Sequence, residues 1–335
     1  MQNLTGILLV NLGTPDSPAI PDVRKYLKEF LLDERVIDIP AVQRNLLVRG
    51  IIAPFRAPKS AKLYAQIWNE NGSPLLSYSI LLKKKLQQKL GQNFLVELAM
   101  RYQSPSIKNG LELLKKANCN KIIVIPLFPQ YSSAANGSVV EKVMNIIKND
   151  PVFPELRFTG SFHHQPLFIK AFSERAKKYA PENFDHFIFS FHGLPERQIT
   201  KSLPDFNCLT ETCCNTLTLK NHLCYRAQCF ETARAIAGSL NITTEKYTVC
   251  FQSRLGKTPW IKPYSDEVIK QLAGRGVKNI LAFSPAFVAD CLETIYEIGV
   301  EYDVLFKEHG GEKIQLVESL NDSDLFVDCL VEMIK

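Results

Sequence analysis

Short apolar runs recur along the 335 residues, each closed by a turn and followed by a stretch of helical periodicity. Ile7–Val10, Val96–Met100, Lys121–Leu127, Asp185–Phe191, Tyr247–Gln252 and Ile280–Phe283 are too short for helices, and they read as buried strands. Helical patterns separate them at Asp22–Leu31, Leu81–Leu90, Ile107–Ala117, Ser138–Lys148, Leu167–Tyr179, Tyr225–Leu240 and Ser265–Ala273, with a last one at Asp322–Ile334. Strands alternating with helices in this way require parallel sheets with helices on both faces. The Pro-rich piece Asn149–Pro166 reads as a link. The expected division is an N-terminal domain over 1–155, a C-terminal domain over 156–312, and a tail over 313–335 packing back on the first. The two halves rhyme faintly, Lys121-Ile122-Ile123-Val124 with Pro126 echoing Lys278-Asn279-Ile280-Leu281 with Pro285. The expected fold is therefore α/β: two similar Rossmann-like domains, each a parallel β-sheet flanked by helices, facing across a cleft.

Composition excludes several classes of function. The net charge of +6 is spread among both signs, without the aromatic-plus-basic pattern of an RNA binder, so nucleic acid is not an expected partner. No apolar run approaches the ~20 residues of a membrane span. The start, MQNLTGILLVNLGTPDSP, lacks a basic leader and matches no nucleotide-binding glycine motif. The chain is placed in the cytoplasm, where its nine cysteines are expected as thiols or metal ligands. Arg44–Trp68 mixes Leu and Ile with Arg44, Arg49, Arg56, Lys59 and Lys62, a character suited to a membrane-surface lip, an anion-binding rim or a plain amphipathic helix. Peripheral contact with the inner membrane face and a monomer or homodimer are both compatible with it.

The most unusual stretch is Lys278–Phe306. A strand ends at Pro285, and Ala286–Val304 reads as a helix. On its wheel Asp290, Glu293, Glu297 and Glu301 form one stripe without a Lys or Arg, while Cys291, Leu292, Ile295 and Ile298 face a core. Like charges at i,i+4 cost a few tenths of a kcal/mol per pair. A solvated helix face accounts for such a stripe, as does a path for a cation or a proton. The helix starts at the carboxyl end of a strand, where open α/β sheets place ligands. His192 also ends a strand, ahead of Gly193 and Pro195. It is either a hydrogen-bonded structural residue or a cleft imidazole, which opposite a carboxylate suits Fe(II) or proton abstraction from nitrogen.

The segments LLVNLGTPDSP, RAPKSAKLY, MRYQSP, FPQYSSAANGS, FSFHGLPER, VCFQSRLGKTPWIKPYSDE and FSPAFVADCLETIYEIGVEY run in one order from Leu8 to Tyr302. Through them the chain resembles the ferrochelatases, which insert Fe(II) into protoporphyrin IX at the last step of haem synthesis. The resemblance implies that His192 takes pyrrole protons or binds metal and that Glu293 is the glutamate opposite it. Glu297 and Glu301, with Asp290, then belong to an acidic ridge for metal or protons. It further implies that Leu12, Tyr102, Trp260 and Phe283 lie near the porphyrin, and that Arg56, Ser73 and Tyr131 are candidates for the rim meeting its propionates. Some relatives carry His where this chain has Cys291, so a proton relay through a second His is not expected.

Cys208, Cys213, Cys214, Cys224 and Cys229 fall within 22 residues between His192 and the helix Tyr225–Leu240. Five cysteines so close in a reducing compartment point to zinc, to an iron–sulfur cluster or to redox-sensing thiols. Some bacterial ferrochelatases carry an internal [2Fe–2S] cluster. By that resemblance Cys208, Cys213, Cys214 and Cys224 are the expected ligands, with Cys229 the spare. The competing reading of the whole chain is a haem, porphyrin or metal carrier, or an iron–sulfur sensor. A related chelatase for cobalt or coproporphyrin stays within the same reaction class. The acidic stripe, which a passive haem holder does not need, favours the enzyme.

Overall fold

In each half of the chain the apolar runs lie side by side as strands. They are buried on both faces and so need no polar alternation. The structure is a computed structural model that describes residues 4–256 and 258–335; Met1–Asn3 and Lys257 lie outside it. It contains two compact units. The first holds residues 4–128, 132–160 and 330–335, and the second holds 129–131 and 161–329.

The first unit is built on β1 (Thr5–Gly13), β2 (Phe94–Tyr102), β3 (Lys121–Pro126) and β4 (Glu155–Phe158), in the order β2-β1-β3-β4 with every pair parallel. Leu8, Val10, Ile122 and Val124 pack against Ile107, Leu111 and Leu114 of the helix Ile107–Lys116 and against Val139 and Val143 of the helix Ser138–Ile147. Each such side chain contributes about 1.5–3 kcal/mol on full burial. Gly13 closes β1 at a φ of 117°, where an added Cβ would lie 2.0 Å from the Tyr102 carbonyl oxygen, so no other residue fits there.

The second unit repeats the plan with β5 (His186–His192), β6 (Tyr247–Gln252), β7 (Asn279–Phe283) and β8 (Lys313–Leu316), ordered β6-β5-β7-β8 and again all parallel. Its core joins Ile188, Cys250, Ile280 and Ala282 to Ile269, Leu272, Ile298, Tyr302 and Phe306. The expected α/β class with two similar parallel-sheet domains therefore describes the molecule, and the echo between Lys121–Val124 and Lys278–Leu281 marks the corresponding strands β3 and β7.

Several expectations change. The stretch read as a link contains β4, so the first sheet extends past residue 155. In the tail, Lys313–Leu316 joins the second sheet, and only Leu330–Lys335 groups with the first unit. The helix expected from Ala286 begins at Leu292 and is a π-helix to Tyr302, continued by an α-helix over Asp303–Glu308. Residues 284–291 form an irregular loop. Shorter π-helices occur at Leu47–Ile52 and Ser133–Gly137. Such segments cluster at functional sites, and wheel periodicity does not announce them. Among the described residues no helix is long and apolar enough to cross a membrane.

Candidate active site

His192 is the last residue of β5, level with Gln252 at the end of β6. Its Nδ1 lies 2.7 Å from the carbonyl oxygen of Gly193. A carbonyl can only accept, so Nδ1 carries the hydrogen and the neutral ring keeps its lone pair on Nε2. The imidazole sits between aromatic walls, with ring centroids 6.5 Å from Trp260 and 6.3 Å from Phe287. Behind it, the Tyr225 hydroxyl donates to the His192 carbonyl oxygen at 2.8 Å. Gly193 admits this crowding, since a Cβ there would stand 2.9 Å from the Gln252 carbonyl oxygen and 3.1 Å from the Trp260 ring.

The glutamates follow from the π-helix Leu292–Tyr302. Its i→i+5 hydrogen bonds widen the turn, and residues four apart stay on one face. Thr294, Ile298 and Tyr302 are the buried face, and Glu293, Glu297 and Glu301 repeat the same spacing one residue earlier. Glu293 and Glu297 are half-buried and Glu301 is exposed. Glu297 accepts from the Ser253 backbone N–H (2.9 Å), the Ser253 hydroxyl (2.5 Å), Gln252 Nε2 (2.9 Å) and the Tyr302 hydroxyl (3.1 Å). Those four bonds fill the capacity of a carboxylate. Burial and the Glu297 charge both push the Tyr302 phenol up, so it remains a donor. Ser253 has a left-handed φ of 64°, which turns its N–H and hydroxyl onto Glu297.

Asp290 does not belong to the stripe. It precedes the helix and is buried, accepting from the Ser319 N–H (3.1 Å), the Thr294 hydroxyl (3.1 Å) and Asn321 Nδ2 (2.8 Å). The expected placement rested on a helix starting six residues too early. Cys291 is buried, as expected. Its thiol is held well above the usual range by burial and by the neighbouring Glu293 carboxylate, to which it is hydrogen-bonded.

Three porphyrin candidates are closed off. Tyr102 is fully buried, its hydroxyl donating to Asp33 at 2.9 Å beside Arg101 and Ser138, and burial raises its phenol. Phe283 is fully buried and stacks on Phe189 at 4.7 Å. Ser73 is buried and accepts from the Thr14 hydroxyl at 2.8 Å. Each lies at a strand or helix end, and the packing and hydrogen bonding of that end consumed it. Leu12 and Tyr131 are half-buried, and Arg56 is exposed. Trp260 is half-buried, with its indole N–H on the Leu255 carbonyl at 2.9 Å.

Within the cysteine loop, the Cys213 and Cys214 sulfurs are 3.6 Å apart, and Arg226 Nη1 donates to them at 3.7 and 3.2 Å. Cys224 precedes the helix Tyr225–Ser239. A hydrogen bond from Cys214 lowers its thiol, assisted by the backbone N–H groups of Ala227 and Arg226, and the Cys214 thiol rises correspondingly. Cys208 is pushed up to about 11, chiefly by burial, and lies beside Cys224 and Cys213. Cys229 is fully buried one helical turn on, hydrogen-bonded to Tyr225. Among the described residues no three His, Cys, Asp or Glu side chains converge as around a metal ion.

Sequence reasoning missed Gln252, Ser253, Tyr225, Phe287 and Arg226. Gln252 is the joint of the site: besides Glu297 it donates to the Glu293 carbonyl oxygen at 3.0 Å and accepts from the Ser190 hydroxyl at 2.7 Å. The signal available was a polar pair, Gln252-Ser253, ending an otherwise apolar strand.

Two structures of SirB from Bacillus subtilis, one with Fe3+ and one, of subspecies spizizenii, a sirohydrochlorin chelatase in complex with cobalt, share the fold at TM-scores of 0.54 and 0.52. They are 12% and 11% identical, covering 99% of this chain and 94% of theirs. The ferrochelatase of Legionella pneumophila (strain Lens) is 46% identical over 329 residues, 98% of each chain. That of Coxiella burnetii (strain Dugway 5J108-111) is 43% identical over 342 aligned positions, 99% of this chain and 94% of its own. The ferrochelatase family profile matches residues 4–335, and the chain belongs to that family.

Proposed function

We propose that the chain inserts Fe(II) into protoporphyrin IX to make protohaem, releasing two protons, with His192 as proton acceptor and Glu293 as the carboxylate guiding the metal. The observation that carries this reading is the fixed tautomer of His192. Its Nδ1–H is occupied by the Gly193 carbonyl, which leaves Nε2 as a base between Trp260 and Phe287. An imidazole nitrogen with a free lone pair can take a pyrrole proton. Glu293 attracts the hydrated cation and replaces part of its water. Glu297, with its bonds filled, holds Gln252 and Ser253 in place, and Glu301 is the outer station of the ridge. Rigid aromatic walls that fit a bent macrocycle better than a flat one accelerate insertion by differential binding.

Anaerobic turnover of protoporphyrin IX with Fe(II), read by visible absorption, tests this beside His192→Ala. Multiple turnovers lost in the variant support the enzyme and the role of His192. Porphyrin held without metallation, equally in both proteins, leaves a carrier. Cobalt and coproporphyrin in parallel cuvettes measure the same-class alternatives.

Cys213, Cys214, Cys224 and Cys208 form one connected group of thiols, with Arg226 donating to two of the sulfurs, which supports a cluster held by this loop. Cys208, Cys213, Cys214 and Cys224 would hold a [2Fe–2S] cluster, which when bound supplies one-electron redox chemistry. Cys229, engaged by Tyr225 inside the helix, is the spare. Ser substitution at any of the four should abolish iron-and-sulfide content and visible colour, whereas Cys229→Ser should retain both.

The segment Arg44–Trp68 is proposed as a contact for an anionic membrane surface. Leu46, Ile51 and Phe55 are exposed among Arg49, Arg56, Lys59 and Lys62.

A further inference from the structure

The helix Tyr225–Ser239 turns a polar face inward. Tyr225, Gln228 and Thr232, spaced by three and four, share one side of it, and all are buried, Gln228 and Thr232 completely. Gln and Thr are mostly exposed in folded proteins. Here each polar side chain is taken up by a different segment of the second unit. The Tyr225 hydroxyl donates to the His192 carbonyl oxygen at 2.8 Å. Gln228 Oε1 accepts from the Tyr131 backbone N–H at 2.6 Å. Its Nε2 donates to the His222 carbonyl oxygen at 2.6 Å and to Ser161 Oγ at 3.4 Å. The Thr232 hydroxyl accepts from Gln130 Nε2 at 3.0 Å and donates to the His163 carbonyl oxygen at 2.9 Å.

The Gln228 amide has one possible orientation, since reversing it would set its oxygen against the His222 carbonyl and its NH2 against the Tyr131 N–H. Tyr131 is half-buried between the buried residues Gln130 and Ser132, so the anchors on either side of its peptide leave the phenol accessible. Tyr225 and Gln228 are three residues apart, about 4.5 Å along the helix axis. The backbones of His192 and Tyr131 are therefore held against one rod at a set spacing.

We propose that Gln228 is a positioning residue: through the Tyr131 N–H it sets where the Tyr131 phenol meets a porphyrin carboxylate, relative to Nε2 of His192. The inference rests on the reading of Tyr131 as part of the propionate rim and of His192 as the base. A carboxylate held by Tyr131 brings the pyrrole nitrogens to His192 by orientation, and a porphyrin without free carboxylates gains nothing from the spacing.

Protoporphyrin IX and its dimethyl ester, both dispersed in detergent, test this with wild type, Tyr131→Phe, Gln228→Leu and the double variant. Affinity is read by quenching of tryptophan fluorescence, and kcat and KM by anaerobic metallation with Fe(II). A hydrogen bond to a charged group corresponds to about tenfold in affinity. Wild type should favour the free acid by about that factor. Tyr131→Phe and Gln228→Leu should each erase the preference by weakening the acid alone, raising its KM with little change in kcat. The double variant should match Tyr131→Phe, because Gln228 acts through Tyr131. Gln228→Asn, one methylene too short to span Tyr131 and His222, should show the same loss and serves if the Leu variant fails to fold. Equal affinity of wild type for acid and ester overturns the proposal. So does a Gln228 variant, folded by circular dichroism, that keeps the wild-type preference, because Gln228 is then only structural. Losses that add in the double variant, or a preference lost in Gln228→Leu but kept in Tyr131→Phe, overturn it equally. Binding is read apart from turnover, so an acid preference that depends on Gln228 without metallation supports the positioning of Tyr131 while refuting the enzyme.

Discussion

Replacing Gln252 by Glu changes one NH2 group to an oxygen at the centre of the second unit. Gln252 is 1% exposed, and its Nε2 lies 2.9 Å from a Glu297 carboxylate oxygen. Two ionised carboxylates at that separation repel by about 6 kcal/mol at an effective dielectric constant of about 20. Protonating one of them at pH 7 costs less, about 4 kcal/mol for a carboxyl with an unfolded-state pKa of about 4.3. Proton uptake therefore wins, and the folded variant holds one proton that its unfolded chain releases. A folded-state pKa raised above the unfolded value means that stability is retained below about pH 4 and lost as pH rises, by about 1.4 kcal/mol per pH unit. The proton-linked loss in Gln252→Glu should be about 1 kcal/mol at pH 5 and about 4 kcal/mol at pH 7. The lost bond to the Glu293 carbonyl adds about 1 kcal/mol at both pH values. Urea unfolding of wild type and variant at pH 5 and 7, with Gln252→Leu as a pH-independent control, measures the difference. A Gln252→Glu deficit equal at the two pH values would refute the placement of Gln252 against Glu297.

Tyr225→Phe removes the donor to the His192 carbonyl and, with it, the hydroxyl partner of the buried Cys229 thiol. It should cost about 1 kcal/mol of stability and lower kcat several-fold with KM for porphyrin unchanged, as read by steady-state turnover. Gly13→Ala places a Cβ 2.0 Å from a backbone oxygen at a φ of 117°; it should destabilise the first unit by about 3 kcal/mol or more, measured as the shift in its unfolding midpoint. Replacing Leu46 and Phe55 together by Asp should abolish flotation with anionic liposomes at low salt while leaving turnover of detergent-dispersed porphyrin intact. Persistent flotation would remove the membrane assignment of this segment.

The sheets were legible because parallel strands buried on both faces read as uninterrupted apolar runs. β6, Tyr247–Gln252, has the boundaries expected of it. β4, Glu155–Phe158, was not legible, because an edge strand of four residues with alternating exposure has no apolar run to mark it. The residues at the ends of strands divided by chemistry. His192 and Glu293 stay partly accessible, and each sits beside a turn that its neighbours define. Tyr102 and Phe283, equally suggestive as residue types, were taken into the packing. Asp290 shows the same limit in another form. Spacing placed it on a helix face, but the chain before Leu292 is irregular, and Asn321 and Ser319, thirty residues on, determine where that carboxylate points.

The two units use the same turn for different ends. After the second strand of each sheet a residue takes a left-handed φ, Gln103 in one and Ser253 in the other, and presents its backbone N–H to a carboxylate. After the third strand of each comes a π-helix running into an α-helix. In the first unit the π-helix Ser133–Gly137 spans five residues and carries no charge, and the carboxylate at the turn is Glu29, from the helix after β1. In the second unit the π-helix spans eleven residues and itself supplies the carboxylate, Glu297. That substitution has a consequence for chemistry. The turn that anchors Glu297 fixes the rotation of the whole π-helix, and Glu293, four residues earlier on the same face, is oriented with it. Gln252 pins the backbone of Glu293 from the strand position level with His192. His192 and Glu293, the proposed base and metal-guiding carboxylate, are thus set by one strand end and one turn, and among the described residues the long acidic helix is found in the second unit.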